Sequence, residues 1–355
     1  MHQLAYADIK AAHERIADHI RPVSLARTDP GAIPTAFRDP VEERDPDPCE
    51  VWLALEFMQH TGSFKARGAQ NFLQAHREAG TLPEAGVTIA SGGNAGLACA
   101  WAARQQGVRA TVFLPETAPR VKVAKLRAYG ADVRLVGTEY AQAANACADF
   151  AASSGALSSH AYDHPLIAAG AGTLLDEIRR QIPGLDTVVV AVGGGGLFAG
   201  VAAAAQHHGI RTVAVEPENC RALNAAVETG DLVDVTPDSV AADSLGARRA
   251  SAMALHAAQQ DLVHSVTVPD SEIIRARRTL WDHHRLAVEH GAAAALAALT
   301  APIHSRPGRA LPEQARIPAG GYRPQSGERI AVVLCGANTD PSDLAHKPDD
   351  AEHFA

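Results

Sequence analysis

Clustered basic charge, closely spaced cysteines and long apolar runs are all missing from this chain of 355 residues. Lysine and arginine number 32 against 40 acidic residues, which argues against a nucleic-acid partner. The five cysteines form no C-x-x-C pair, which argues against a disulfide framework and is typical of a reducing compartment. No apolar run is long enough for a membrane span, and the first residues do not resemble a signal peptide. We therefore expect a soluble, cytoplasmic protein with no membrane partner.

The hydrophobic content of 46% allows a large core, most simply divided between two domains. Short β-rich runs, such as Val87–Ala90 and Thr187–Val192, alternate with alanine-rich helical runs. This alternation predicts βαβ units with parallel sheets, an α/β fold in which ligands bind beyond the carboxyl ends of strands. The stretch His304–Glu328 is rich in Pro, Gly and Arg, and we expect it to be a surface loop insertion.

The segment Thr61–Ala69 places one lysine, Lys65, behind the bulky Phe64 at the start of a predicted helix. A poorly solvated lysine favours its neutral amine, because burial disfavours the charged form. A neutral amine can form a Schiff base with an aldehyde cofactor. A single lysine is more often a surface residue, so this interpretation depends on three further motifs.

Four consecutive glycines, Gly193, Gly194, Gly195 and Gly196, end a predicted strand and lead into a helix at Leu197. Without side chains, their amides can approach an anion, and the helix N-terminus adds partial positive charge. One or two glycines would be enough for a simple turn, so the run favours a phosphate site. Neither the P-loop pattern nor the dinucleotide G-x-G-x-x-G pattern is present.

Two other motifs also follow predicted strands. Ser91, Gly92, Asn94 and Ala95 offer a hydroxyl, an amide side chain and free backbone amides, which suit a carboxylate, although an ordinary helix cap uses the same residue types. Cys335 lies where a strand end would meet a ligand, although it could equally be a plain core cysteine. The 17 histidines show no metal-ligand spacing, and no G-x-S-x-G sequence supports a hydrolase.

Together, and in their order along the chain, the four motifs resemble those of the serine/threonine dehydratase family. Members of this family are pyridoxal phosphate enzymes of the tryptophan-synthase-β-like fold (fold type II). The resemblance runs from about residue 51 to residue 338. It implies two domains, each with a mostly parallel sheet flanked by helices: a small domain over 58–160, and a large cofactor-binding domain formed by 1–57 and 161–355. It also implies a cofactor in the cleft between the domains, and a homodimer.

The resemblance further implies a role for each motif. Lys65 would hold the cofactor as a Schiff base and take the Cα proton of an amino-acid substrate. The other roles are as follows: Phe64 packs near the cofactor ring, Asn94 bonds its phenolic oxygen, Gly193 to Leu197 bind its phosphate, Cys335 faces its pyridine nitrogen, and Ser91, Gly92, Asn94 and Ala95 receive the substrate carboxylate.

Glu216 matches an acidic cation ligand of the family. The resemblance implies a monovalent cation, potassium, completed by backbone carbonyls near Cys220, Leu245 and Ala247. Magnesium is less favoured, because Ala222 or a neighbour stands where a second acid is found in relatives that bind divalent cations. The alternative is that Glu216 simply ends a strand.

Gly92 is a useful departure from the serine racemases of the family, which carry a second serine there as an acid/base for the other face of the substrate. Elimination needs only Lys65. We therefore expect dehydration and deamination of L-serine or L-threonine to pyruvate or 2-oxobutanoate plus ammonia. Four alternatives stay open: elimination from another amino acid such as 3-hydroxyaspartate, β-replacement as in cysteine synthases, a non-catalytic cofactor-binding protein, and a nucleotide-binding protein that uses the glycine loop alone. Cysteine synthases usually carry Thr-Gly where this chain has Ala95-Gly96.

Overall fold

The computed structural model of the chain describes residues 3–29, 33, 49–301 and 321–345. Ten strands lie within these ranges and are numbered along the chain: β1 (Leu25–Arg27), β2 (Glu50–Ala54), β3 (Val87–Ala90), β4 (Ala110–Leu114), β5 (Asp132–Leu135), β6 (Leu157–Ser158), β7 (Thr187–Ala191), β8 (Arg211–Pro217), β9 (Val263–Val268) and β10 (Arg329–Val333).

Twelve α-helices of the same ranges are numbered in the same way: α1 (Tyr6–Ile16), α2 (Lys65–Glu78), α3 (Asn94–Gln105), α4 (Arg120–Ala128), α5 (Tyr140–Ser154), α6 (Pro165–Gln181), α7 (Gly196–His207), α8 (Ala222–Thr229), α9 (Ala242–Leu245), α10 (Ala252–Ala258), α11 (Asp270–His284) and α12 (His290–Thr300).

The larger sheet has six strands in the order β1-β2-β10-β7-β8-β9. β1 runs antiparallel to β2, and the other neighbours are parallel. Every residue of the central strand β7 is buried, as expected for a parallel strand with helices on both faces of its sheet. One of those helices is α12, which is buried from Gly291 to Thr300 and packs against β7 to β10.

The smaller sheet has four parallel strands in the order β5-β4-β3-β6. All four lie within residues 58–160, the predicted small domain, and the six strands of the larger sheet lie outside that range. The predicted α/β fold with two mostly parallel sheets is therefore confirmed, while the domain limits stay a prediction.

Several elements were not anticipated from the sequence, chiefly α1 near the N-terminus and α8 to α10 between β8 and β9. Of the predicted insertion over 304–328, only residues 321–328 are within the described ranges. No helix in the described part of the chain combines the length and the apolar character that crossing a bilayer would require.

Candidate active site

The chain leaving β10 runs beside the turn that precedes α2, and this pairing brings two of the predicted residues together. Ser63 and Gly336 form an isolated antiparallel bridge. The Phe64 amide donates to the Cys335 carbonyl at 3.0 Å. Cys335 and Lys65, which are 270 positions apart in the chain, are thereby held side by side.

Lys65 occupies the first turn of α2, and its amine donates to the Ala161 carbonyl at 2.7 Å. The amine also lies 4.7 Å from the centre of the Phe64 ring. Although Lys65 is partly exposed as a whole, its amine is closely surrounded by protein. This desolvation lowers the pKa of Lys65 to about 8, against smaller opposing effects of Cys335 and Glu289. An appreciable fraction of the amine is therefore neutral near neutral pH.

The Cys335 side chain is 7% exposed. Burial, reinforced by Glu289, raises the pKa of its thiol to about 12. Cys335 is therefore a neutral thiol at physiological pH and not a thiolate nucleophile.

The glycine loop lies against the segment that accepts the hydrogen bond of Lys65. A side chain on Gly194 would meet the Tyr162 ring at 2.3 Å, and one on Gly196 would meet the Tyr162 carbonyl at 2.8 Å. Gly195 has a left-handed backbone, with φ of 93°. Among the described residues, the amides of Gly193–Leu197 have no hydrogen-bond acceptor. They form a cradle at the N-terminus of α7 that suits a phosphate.

The loop after β3 is a second group of hydrogen-bond donors. Its Gly93 amide donates to Ser91 Oγ at 3.4 Å, and α3 begins at Asn94 without a side-chain cap. The amides of Asn94 and Ala95 belong to the first helical turn, so they have no intrahelical acceptor. A side chain on Gly92 would meet Leu114 Cδ2 at 2.1 Å, whereas Gly93 faces open space.

The sequence motifs did not predict a role for the side chains of two functional candidates, Glu289 and Asn338. The Asn94 Nδ2 atom lies 2.9 and 3.0 Å from the two Glu289 carboxylate oxygens. Asn338 donates its backbone amide to Glu289 at 2.8 Å and its side-chain amide to Asn94 Oδ1 at 2.8 Å. Glu289 precedes α12, whose alanine-rich sequence is apolar on every face. The sequence did offer one signal of a role for Glu289, because it is a charged residue immediately before a helix whose apolar sequence predicts burial.

A cavity of about 80 Å³ adjoins this group. An ion pair of 2.8 Å between Lys122 of α4 and Asp243 of α9 lies at this end of the molecule. The cavity is lined by Val240, Ala241, Asp243, Ser244, Glu289, His290, Asn338 and Thr339. It is therefore a polar space bordered by the side chains that hold Asn94.

The predicted cation ligands are placed as follows. Glu216 is fully buried, and its carboxylate accepts from the amides of Leu223 at 2.8 Å and Asn224 at 2.7 Å, at the start of α8. Burial raises the pKa of Glu216 to about 8 despite these bonds. Cys220 is buried nearby, and Leu245 lies beside Gly193, while Ala247 is partly exposed. The cation site stays a prediction.

The family model described as pyridoxal-phosphate dependent enzyme matches residues 37–320. The chain belongs to this family. Its fold is that of the fold type II pyridoxal phosphate enzymes, its cofactor is pyridoxal phosphate, and it belongs to the serine/threonine dehydratase family of these enzymes.

Three relatives illustrate the range of this family. The chain is 36% identical to human serine dehydratase-like over 294 residues, which cover 81% of this chain and 85% of the relative. It is 35% identical to L-threonine ammonia-lyase of Geobacter sulfurreducens over 70% of this chain and 62% of that protein. A solved structure of a pyridoxal 5'-phosphate-dependent aspartate racemase has a TM-score of 0.80 and 27% identity, covering 97% of this chain and 98% of that one.

The residues present fit the cofactor. Five consecutive amides without an acceptor among the described residues, in a loop where an added Cβ on Gly194, Gly195 or Gly196 would clash, match a phosphate group. The desolvated amine of Lys65 suits an aldehyde, and the neutral thiol of Cys335 beside it suits a ring nitrogen. The individual roles of these residues are proposals.

Proposed function

We propose that this protein is an L-serine/L-threonine dehydratase that converts its substrate to a 2-oxo acid and ammonia by α,β-elimination. The observation that carries the proposal is the desolvated Lys65 amine, whose lowered pKa of about 8 makes it able to accept a proton near neutral pH. The kinship with human serine dehydratase-like and with a bacterial L-threonine ammonia-lyase supports the choice of substrate.

Bound pyridoxal phosphate supplies the electron-withdrawing group that makes a substrate Cα proton acidic. Residues of the chain would bind the cofactor, bind the substrate and accept the proton. Gly193–Leu197 would hold the phosphate, and Asn94 and Cys335 would orient the ring. The Ser91 hydroxyl and the amides of the first turn of α3 would bind the substrate carboxylate. The Lys65 amine would then take the proton from Cα, and the β-hydroxyl would leave as water. Hydrolysis of the released enamine would give the 2-oxo acid and ammonia.

Gly92 supports elimination over racemisation. Racemisation needs an acid/base group on each face of the substrate, whereas elimination needs only one. Gly92 offers no such group, and the space that a side chain there would enter holds Leu114 Cδ2, 2.1 Å from the position of an added Cβ. Lys65 is thus left as the single proton acceptor that we assign.

The deciding experiment incubates the cofactor-loaded protein separately with L-serine, L-threonine and L-threo-3-hydroxyaspartate, and measures 2-oxo acid and ammonia. We expect release from serine or threonine, a loss of at least about a thousandfold in Lys65→Ala, and no loss in Lys10→Ala, an exposed control on α1. Wild-type rates in Lys65→Ala would refute the mechanism. Release from 3-hydroxyaspartate alone, or a product formed only when sulfide is added, would move the assignment to the corresponding alternative.

The proposal extends to a cytoplasmic homodimer and to a potassium ion at Glu216. Light scattering of the loaded protein tests the dimer, and cell fractionation tests the location. A rise in thermal stability with potassium but not with sodium, absent in Glu216→Gln, tests the cation.

A further inference from the structure

Glu289 is a buried carboxylate surrounded by hydrogen-bond donors. Its side chain is part of a residue only 8% exposed, just before the first turn of α12. Its oxygens lie 2.9 and 3.0 Å from Asn94 Nδ2, and one of them also accepts the Asn338 amide at 2.8 Å. Gly336 makes this approach possible, because a side chain there would come within 2.9 Å of the carboxylate. The close packing shows that the carboxylate position is tightly specified.

Asn338, Asn94 and Glu289 form one connected hydrogen-bond network, which fixes the orientation of each side chain. Asn338 uses both hydrogens of its side-chain amide, one on the Thr61 carbonyl at 2.7 Å and one on Asn94 Oδ1 at 2.8 Å. The oxygen of the Asn94 amide is therefore turned towards Asn338, and its nitrogen towards Glu289. The two Glu289 oxygens lie on the same side of that nitrogen, so they share one of its hydrogens. The second hydrogen remains for a ligand.

A carboxylate is the only form of residue 289 that satisfies every hydrogen bond of this network. A glutamine would direct its own N–H groups at one of the two donors, the Asn94 side chain or the Asn338 backbone. The Asn94 amide would then gain from turning over, which would present its oxygen, and not an N–H, to the ligand. An amide oxygen facing the ionised form of the phenolic oxygen would be repulsive, because both groups only accept hydrogen bonds.

We propose that Glu289 is a positioning residue, which holds the Asn94 amide in the orientation that presents an N–H group to the phenolic oxygen of pyridoxal phosphate. The proposal rests on the role of Asn94 in the proposed function, but not on which amino acid is the substrate. It assigns to α12 a part in the site that no motif of the sequence indicated.

Because the Glu289 carboxylate can gain a proton, the orientation of Asn94 depends on pH. The charged or titratable groups that face Glu289 are Lys65 on α2, Cys335 after β10 and Asp243 on α9, and the chain neighbour of Glu289 is His290. Burial raises the pKa of Glu289 above its ordinary value of 4.5, while the bonds from Asn94 and Asn338 oppose that rise. As the pH falls through this raised pKa, the carboxylate gains a proton and Asn94 loses its fixed orientation.

The test is spectroscopic and needs no turnover. The wild-type protein and Glu289→Gln are titrated with pyridoxal phosphate, and the absorbance of the bound cofactor is followed from pH 4.5 to 9. We expect Glu289→Gln to bind the cofactor about 10- to 100-fold more weakly, the loss of one charge-assisted hydrogen bond. We also expect the wild type to show an acid-side absorbance transition above pH 4.5 that the variant lacks.

The matched control is Asp243→Asn, which removes a neighbouring carboxylate bonded to Lys122 and not to Asn94. It should keep the wild-type affinity and still show the acid transition, shifted to lower pH, because the negative charge of Asp243 contributes to the raised pKa of Glu289. Asn338→Ala should weaken binding in the same direction as Glu289→Gln, and the double variant should be less than additive because the two act on one amide. If Glu289→Gln does not fold, Glu289→Asp serves in its place with the same expected loss of affinity.

Unchanged affinity and an unchanged acid transition in Glu289→Gln would overturn the proposal. So would a lower melting temperature of the cofactor-free protein with the absorbance profile intact, since that would be a purely structural role. Failure of serine and threonine as substrates would leave these measurements unaffected, so the two proposals fail separately.

Discussion

The site is built from two glycine-containing loops that follow strands of different sheets, Gly193–Gly196 after β7 and Ser91–Gly93 after β3. Both lead into a helix whose first amides are free, so both suit an anion. They differ in what surrounds them. An added Cβ on any glycine of the first loop would come within 3.1 Å of a neighbouring atom. In the second loop, an added Cβ on Gly92 would meet one movable side chain, and one on Gly93 would meet nothing within 4 Å among the described residues.

This difference matches the anions that we assign to the loops. A resident phosphate needs a rigid cradle, and the neighbours of Gly195 allow no other residue there. A substrate carboxylate must enter and leave at every turnover, and Gly93 leaves room for it. Glycine thus serves two purposes: at position 195 it permits the backbone conformation, and at position 93 it leaves space.

Replacing Gly195 by alanine should have the largest effect of the substitutions that test this comparison. Its φ of 93° is unfavourable for any side chain, and an added Cβ would meet the Ala254 Cβ at 2.3 Å. We expect a loss of about 2 to 4 kcal/mol in the free energy of unfolding and at least about tenfold weaker cofactor binding. Calorimetry and a cofactor titration measure the two effects.

Gly209→Ala is the matched control, because Gly209 also has a positive φ, of 69°, but has nothing within 4 Å of an added side chain. It should show only the backbone cost of about 1 kcal/mol and normal cofactor affinity. Equal effects at the two positions would contradict the interpretation of the glycine loop as a close-fitting cradle.

Much of this contrast could be predicted from the sequence, because each loop is a local pattern. From apolar runs between turn residues, β3 was predicted at its observed limits and β7 to within one residue. The helices α8 to α10 were missed, since they are short and lie between turns without a clear repeat. Glu289 and the Ala161 carbonyl were missed for another reason: distant segments bring them to Asn94 and Lys65, and no spacing in the sequence records that approach.

Gly92 should show an intermediate effect. Its obstacle is the end of the Leu114 side chain, which can rotate away, so Gly92→Ala should cost about 1 kcal/mol and little cofactor affinity. Combining it with Leu114→Ala should cost less than the sum of the two, since the second change removes the obstacle. Thermal unfolding of the three variants measures this coupling, and strict additivity would show that Leu114 does not limit position 92.

Gly92→Ser extends the same prediction to chemistry. It adds a hydroxyl that could serve as an acid/base on the second face, so we expect D-serine to form slowly from L-serine, measured by chiral chromatography, with Gly92→Ala as the control that lacks the hydroxyl. A Gly92→Ser enzyme that binds cofactor, eliminates normally and makes no D-serine would show that the absence of a serine is not what restricts this site to one face.

Gly93→Ala should have the smallest effect on stability, because nothing lies within 4 Å of the added side chain. Two opposite effects nearly cancel: alanine is a poorer residue than glycine before a helix, by a few tenths of a kcal/mol to about 1, but it restricts the unfolded chain by a similar amount. We expect the free energy of unfolding and the cofactor affinity to stay near wild type, while the KM for the amino acid rises. A marked loss of cofactor affinity instead would place the cofactor, and not the substrate, against this loop, and the division of the two loops between phosphate and carboxylate would have to be reversed.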